Sequence, residues 1–250
     1  MRGLKPFIVR LAVLLLSFSI TACQPDPDNL NEKKAQGINA HHYHSFWLWG
    51  NVNPAPYLAN TTELYLLQGE VSFSNVLQQP TFTAQGMGLT TIKPAKIWLV
   101  YRTTTLQWSP ELIQAIIRRL DSWQRYGNQV IGLQIDFDSA TGQLEQYAKF
   151  LQSIRQQLPS QYQLSATGLL DWSNASANTI LSLGHVLNEI VIQTYQGTRT
   201  INNYRAYLPA LGRLNIPFKI GLVQHGQWVA DPTIEKNPYF KGYVVFLLKE

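Results

Sequence analysis

From about Tyr43 onward, runs rich in β-branched and aromatic residues are separated by polar stretches and by segments with apolar residues at helical spacing. The runs predict strands near 44–51, 63–71, 95–102, 129–138, 161–170, 189–196, 217–224 and 242–248. Ser109 before Pro110 predicts a helix start: the hydroxyl satisfies a free N–H, and proline at the first helical position gives up an N–H that has no partner there. Leu112, Ile116, Leu120 and Trp123 then share one face, and Gly127 ends the segment. Leu144, Tyr147, Ala148, Leu151, Ile154 and Leu158 repeat the pattern until Pro159, and Tyr204 to Leu214 reads as another helix before Pro217. Residues 72–94 lack this periodicity. Their Thr81-Phe82-Thr83 and Gln85-Gly86-Met87-Gly88 predict a hairpin or a long loop.

Eight strands separated mostly by helices predict an α/β fold, a single small (β/α)8 barrel of the TIM type. It is expected to carry a hairpin or loop in place of an early helix and to lack the last outer helix. An open doubly wound sheet is the alternative, but no glycine-rich phosphate loop follows an early strand, which removes its nucleotide-binding form.

The first residues carry Arg2, Lys5 and Arg10, then the apolar run Leu11 to Ile20, then Thr21-Ala22-Cys23. A basic start, a short apolar stretch and small residues before a cut are the layout of a secretory signal, and the run is short of the roughly 20 residues that span a bilayer. Ile20-Thr21-Ala22-Cys23 resembles the lipobox of bacterial lipoproteins. The resemblance implies a signal peptide over 1–22 and a lipid-bearing Cys23; the polar, proline-bearing stretch after it predicts a flexible tether over 23–40, which leaves 41–250 for the barrel domain. Gln24 beside the cysteine implies the outer membrane, with the barrel facing the periplasm. Cys23 is the only cysteine, which excludes a disulfide and a cysteine metal site. The formal charge of +5 falls by three, to +2, once Arg2, Lys5 and Arg10 leave with the peptide. So mild a balance does not call for nucleic acid as a partner.

The segment Val130 to Asp138 carries the most chemistry. Side chains alternate along a strand, so Ile131, Leu133, Ile135 and Phe137 face the surrounding helices while Gly132, Gln134, Asp136 and Asp138 face the barrel axis. Polarity increases toward the strand's C-terminal end, where barrel active sites are built. Two carboxylates so close cannot both ionise freely, and a protonated acid beside an ionised one is what glycosidic bond cleavage requires. The alternative is that both aspartates accept N–H bonds from the following loop.

Gly132 to Asp138 resembles the fourth-strand motif of glycoside hydrolase family 18, the chitinase-like barrels. The resemblance implies Asp138 as the general acid and Asp136 as the carboxylate that orients the substrate. Gln134 and Ile131 stand where that family has further aspartates, and Asp138 is one methylene shorter than the family's glutamate. Gln193-Thr194-Tyr195-Gln196 is similar to the family's sixth-strand motif, which implies sugar contacts from Tyr195 and Gln196. Residues 43–250 also resemble an uncharacterised bacterial family through Leu67-Gln68-Gly69-Glu70-Val71, Val100-Tyr101-Arg102 and Leu133 to Asp138. That likeness implies the barrel without a reaction.

Trp49, Glu70, Arg102, Asp171, Gln224 and Trp228 stand at or just past other strand ends and complete the expected sugar site with Gln134, because aromatic rings stack on sugar C–H faces while amides and carboxylates take hydroxyls. Arg102 could equally pair with Glu70 or Asp136. His41, His42 and His44 lie at the opposite end without acidic company, so neither a metal nor a cofactor is expected. The function expected is a membrane-anchored glycoside hydrolase of envelope or environmental polysaccharide. The alternatives are an envelope lipoprotein that binds a glycan or a protein without turnover, and a purely structural barrel.

Overall fold

A computed structural model describes residues 36–249 apart from 51 and 94. The signal segment, Cys23 and the tether as far as residue 35 lie outside the described residues. Eight parallel strands form the centre: β1 (Ser45–Leu48), β2 (Glu63–Ser74), β3 (Lys96–Thr103), β4 (Gln129–Asp136), β5 (Gln163–Leu169), β6 (Glu189–Gln193), β7 (Phe218–Val223) and β8 (Phe240–Phe246). Each pairs with its successor, and β8 pairs back onto β1, so the sheet closes into a barrel.

Three long helices pack outside, α1 (Pro110–Arg125), α2 (Leu144–Gln157) and α3 (Ala177–Val186), with the one-turn helices α4 (Leu208–Leu211) and α5 (Pro232–Glu235). The fold is thus TIM-barrel-like with several outer helices missing. Ser109 caps α1 as expected, accepting from Leu112 N at 3.2 Å. The long helix expected over Tyr204–Leu214 is instead a 3-10 turn, Tyr204–Ala206, followed by α4. Pro209 explains the break, since it lacks an N–H and its ring clashes with the carbonyl four residues back. Helix α3 was not foreseen. Its signal was Ser176, whose hydroxyl accepts from Thr179 N at 3.2 Å.

Between β2 and β3 the described residues form no helix. The strand Gln79–Ala84 folds back antiparallel on β2, from Gly69 opposite Ala84 to Ser74 opposite Gln79. At the N-terminal edge, Gln36–Gly37 pairs with Gln227–Trp228, and Ile38 and Ala40 are buried. Residues 36–40, expected as part of the tether, therefore belong to the body of the barrel: their backbone bonds and apolar side chains are satisfied there.

The alternation read along β4 holds from Leu133 onward but not at Ile131, which packs against the inner aromatic cluster while Val130 packs outward, because the register with β3 shifts beside it. Leu133 and Ile135 join the large outer core between strands and helices, while Gln134 and Asp136 turn inward. The inner core is aromatic, with Trp47, Tyr65 and Trp98 at its centre and the rings of Tyr65 and Trp98 stacked 6.0 Å apart. Gln134 is consumed in this layer. It accepts from Trp47 Nε1 at 2.7 Å and donates to Ser165 Oγ at 3.0 Å. Below it, at the start of the strands, Lys219 pairs with Glu63 and with Glu189, the latter at 3.2 Å. Tyr65 donates to Glu189 at 2.6 Å and accepts from Lys219 at 2.9 Å, and Trp98 Nε1 donates to Glu63 at 2.7 Å. This ionic plug was not foreseen, because its charges come from three distant strands.

Gly132 lets β4 and β5 approach. A Cβ there would stand 2.0 Å from the backbone oxygen of Gln163. Gly132→Ala is expected to cost about 1–3 kcal/mol, the usual range for overpacking, read as a lower urea midpoint with an unchanged slope.

Candidate functional site

A cavity of about 620 Å³ opens at the C-terminal ends of the strands. Trp49, Arg102, Asp136, Asp138, Asp171, Tyr195 and Gln196, all expected from the sequence, line it. Asp136 closes β4 and is 3% exposed. Its Oδ1 accepts from Thr167 Oγ1 on β5 at 2.7 Å. Burial pushes its pKa up from 3.8 to about 6; the Thr167 hydrogen bond opposes the rise, nearby Asp138 adds to it, Arg102 opposes it and Glu70 adds to it.

Asp138 sits just past the strand and is exposed at the rim. Arg102 Nη2 lies 3.6 Å from its Oδ2, with both side chains substantially open to solvent, and the same guanidinium stands 5.5 Å from the centre of the Trp49 ring. An ion pair so exposed contributes little stability; it sets Asp138 beside Arg102 at the lip of the cavity.

Asp171 enters from the turn after β5. Its Oδ2 accepts from the Thr141 N–H at 3.1 Å and the Thr141 hydroxyl at 2.9 Å, while its Oδ1 is buried without a hydrogen-bond partner. The Trp49 indole N–H is likewise buried and unpaired. Buried polar groups are normally bonded, and both of these belong to residues that line the cavity. Trp49 meets Phe246 edge-on at 5.4 Å, and Tyr195 stacks on Phe246 at 5.6 Å, forming a continuous aromatic wall.

Four expected site residues are elsewhere. Gln134 lies beneath the cavity in the bonds already described. Gln224 is buried, donating to the Tyr57 hydroxyl at 3.0 Å and accepting from Leu248 N at 2.8 Å. Trp228 stacks on Tyr204 at 4.6 Å and meets Tyr243 at 5.9 Å, an outer-layer position away from the mouth. Glu70 stands in register with Arg102, and Arg102 with Asp136, but it does not line the cavity and accepts from Gln85 Nε2 at 3.3 Å. For Gln224 and Trp228 the cause is the loop after β7, which turns outward to pair with Gln36–Gly37.

The sequence reading missed Phe246, Gln193, Ile201 and Tyr207 as lining residues. Gln193 was legible, because it ends β6 on the same face as Val191. Tyr207 and Ile201 arrive through the loop after β6, where no strand alternation points the way. At the barrel's other end, His44 Nδ1 lies 2.9 Å from the Asn60 carbonyl oxygen and His41 packs on Tyr57. Among the described residues, no group of three or more histidine, cysteine, aspartate or glutamate side chains could hold a metal ion.

Fold and site define a parallel-barrel protein with a carboxyl-floored, aromatic-walled cleft at the strands' C-terminal ends. The model of a domain of unknown function, DUF3142, matches residues 102–225, a span from Arg102 to His225 that contains Asp136, Asp138, Asp171 and Tyr195. No curated protein matches the chain. Among solved structures, the spore cortex-lytic enzyme SleL of Bacillus cereus is 19% identical with a TM-score of 0.43, over 72% of this chain and 50% of that one. A glycoside hydrolase family 18 N-acetylglucosaminidase from Paenibacillus barengoltzii is 12% identical with a TM-score of 0.45, over 72% of this chain and 68% of that one. The chain thus spans half the length of the first of these.

Proposed function

We propose that the barrel mouth binds and cleaves a glycan. The observation that carries this reading is Asp136, a carboxyl with a pKa of about 6 on the floor of an open cavity, with a second carboxylate two residues on. Glycosidic cleavage needs one carboxyl that still holds a proton and another that is ionised. Burial, which raises the pKa of Asp136 to about 6, suits it to the first role, and Asp138 at the rim is the candidate for the second. This reverses the division of labour expected from the sequence, in which Asp138 was the acid: the buried carboxyl is the better proton holder. Both carboxylates line the same cavity, Asp136 at the end of β4 and Asp138 just past it. Trp49, Tyr195 and Phe246 offer a surface to the apolar face of a sugar, and Arg102, Asp138, Gln193 and Gln196 among the lining residues offer polar groups to its hydroxyls.

Lipid on Cys23 holds the barrel at a membrane in this proposal, on the outer membrane facing the periplasm. Its support is the basic start, the short apolar run and Thr21-Ala22-Cys23-Gln24. No helix among the described residues is long and apolar enough to cross a membrane.

Incubating the purified full-length protein with fragments of peptidoglycan, chitin, xylan and galactosaminoglycan tests the activity. One class is expected to be cut, with kcat reduced about 100-fold or more in Asp138→Asn, the scale on which a positioned acid–base group acts. Cleavage of none, or undiminished cleavage by Asp138→Asn, would overturn the hydrolase. Saturable glycan binding without turnover would instead assign the mouth to recognition alone.

A further inference from the structure

The helix absent between β2 and β3 leaves a second cavity, of about 460 Å³, outside the barrel. It lies between the returning hairpin strand, the loop through Gly88 and α1. Phe82, Met87, Tyr101, Leu112 and Ile116 form apolar walls, and Arg119 is the only charged residue that lines it. It shares no lining residue with the mouth cavity.

Arg119 is held in place from one side. Its Nε donates to Gln68 Oε1 at 3.0 Å, and its guanidinium stands 5.8 Å from the centre of the Trp123 ring. Gln68 is itself fixed: Oε1 also accepts from Trp123 Nε1 at 3.0 Å, and Nε2 donates to the carbonyls of Leu67 and Met87, each at 3.0 Å. The two terminal guanidinium nitrogens have no hydrogen-bond or ion-pair partner among the described residues. The positive charge reaches Tyr101 on the barrel wall, where burial pushes the phenol up and Arg119 draws it back. A half-buried cation among apolar groups without a counter-ion is unfavourable, and an entering anion relieves it.

We propose that this cavity is a binding site for a small organic carboxylate with an apolar body. The carboxylate takes the two free nitrogens of Arg119 in the forked geometry guanidinium favours, and the apolar body lies along Phe82, Met87, Leu112 and Ile116. A cavity of this size, mostly apolar with one charged group fixing orientation, has the usual make-up of a small-molecule site. Its fixed cation and lack of acidic groups select against cations, and its apolar walls select against bare polyols, so its ligand differs in class from a glycan at the mouth.

Calorimetric titration of the full-length protein with octanoate, octanamide and acetate tests the proposal. Octanoate is expected to bind saturably, octanamide and acetate each at least about tenfold weaker, since a charge-assisted pair and the apolar contact each contribute on the order of 1.4 kcal/mol or more. Arg119→Gln is expected to erase the difference between octanoate and octanamide. Ala115→Trp, which fills the cavity from α1 and leaves Arg119 in place, is expected to abolish binding of both without changing the circular dichroism spectrum. Asp136→Asn is expected to leave octanoate binding unaltered. Absence of saturable octanoate binding, equal affinity for octanamide, or binding that survives Ala115→Trp would each overturn it.

Discussion

Asp136→Asn is expected to stabilise the protein at neutral pH while abolishing the proposed glycan cleavage. The folded-state pKa of Asp136 is raised from 3.8 to about 6, so between these values the folded protein binds more protons than the unfolded chain. Stability therefore falls as pH rises through that window and is flat above it. Two pKa units correspond to about 3 kcal/mol. Asparagine carries no charge to desolvate, and its carbonyl can still accept the Thr167 hydroxyl that Oδ1 accepts now. The variant should thus equal or trail the wild type near pH 4 and exceed it by about 1–3 kcal/mol at pH 7.5, a gain of several degrees in melting temperature for a chain of this size. Urea unfolding at pH 4.5, 6 and 7.5 checks it. A wild type no less stable than the variant at pH 7.5 would show that the carboxylate is not held at a cost. A stabilising substitution that removes activity is the signature of a group kept for function, since active sites tolerate unfavourable burial that the rest of the fold does not.

The second large effect is expected at the other end of the barrel. Lys219→Met leaves Glu63 and Glu189 facing each other in a nearly dry interior, with Tyr65 deprived of one of its partners. Removing one member of a buried ion pair costs about 3–5 kcal/mol, because the uncompensated charge remains behind. Burial already raises the carboxyl of Glu189 despite Lys219, so loss of the lysine should drive a proton onto the pair. The variant's stability is then expected to fall further as pH rises. Pairing Lys219→Met with Glu63→Gln and Glu189→Gln should recover much of the loss. Guanidinium denaturation of the single and triple variants measures this, and a single variant within about 1 kcal/mol of wild type would contradict a dry ionic plug. Because the plug lies below the aromatic layer, glycan binding by the folded fraction should be unchanged.

The strands were legible because each announces itself locally. Pairing of successive strands follows from their order, and the inward placing of Gln134 and Asp136 follows from alternation within a single segment. Helix α1 was equally plain from Ser109-Pro110 and its apolar stripe. Tyr204–Leu214 was misread because apolar spacing was weighed above Pro209, and α3 was missed because its first turn is polar. At the site, residues that end strands on the inward face were found. Residues that merely follow a strand, such as Gln224 and Trp228, were not separable from them, since a loop can turn toward the axis or away from it.

By itself the sequence determined the eight strands of a barrel or open sheet, a hairpin or loop in place of an early helix, the paired aspartates at the end of β4 and the aromatic residues at the strand ends. These are properties of near neighbours along the chain, where side-chain direction follows from backbone period. The tertiary structure alone decided which polar groups share the cavity, that Asp136 is buried with a raised pKa while Asp138 lies at the rim with Arg102, and that Lys219 closes the barrel floor between Glu63 and Glu189. Burial and charge compensation are set by strands dozens to more than a hundred residues apart, and no local pattern encodes what a distant strand brings.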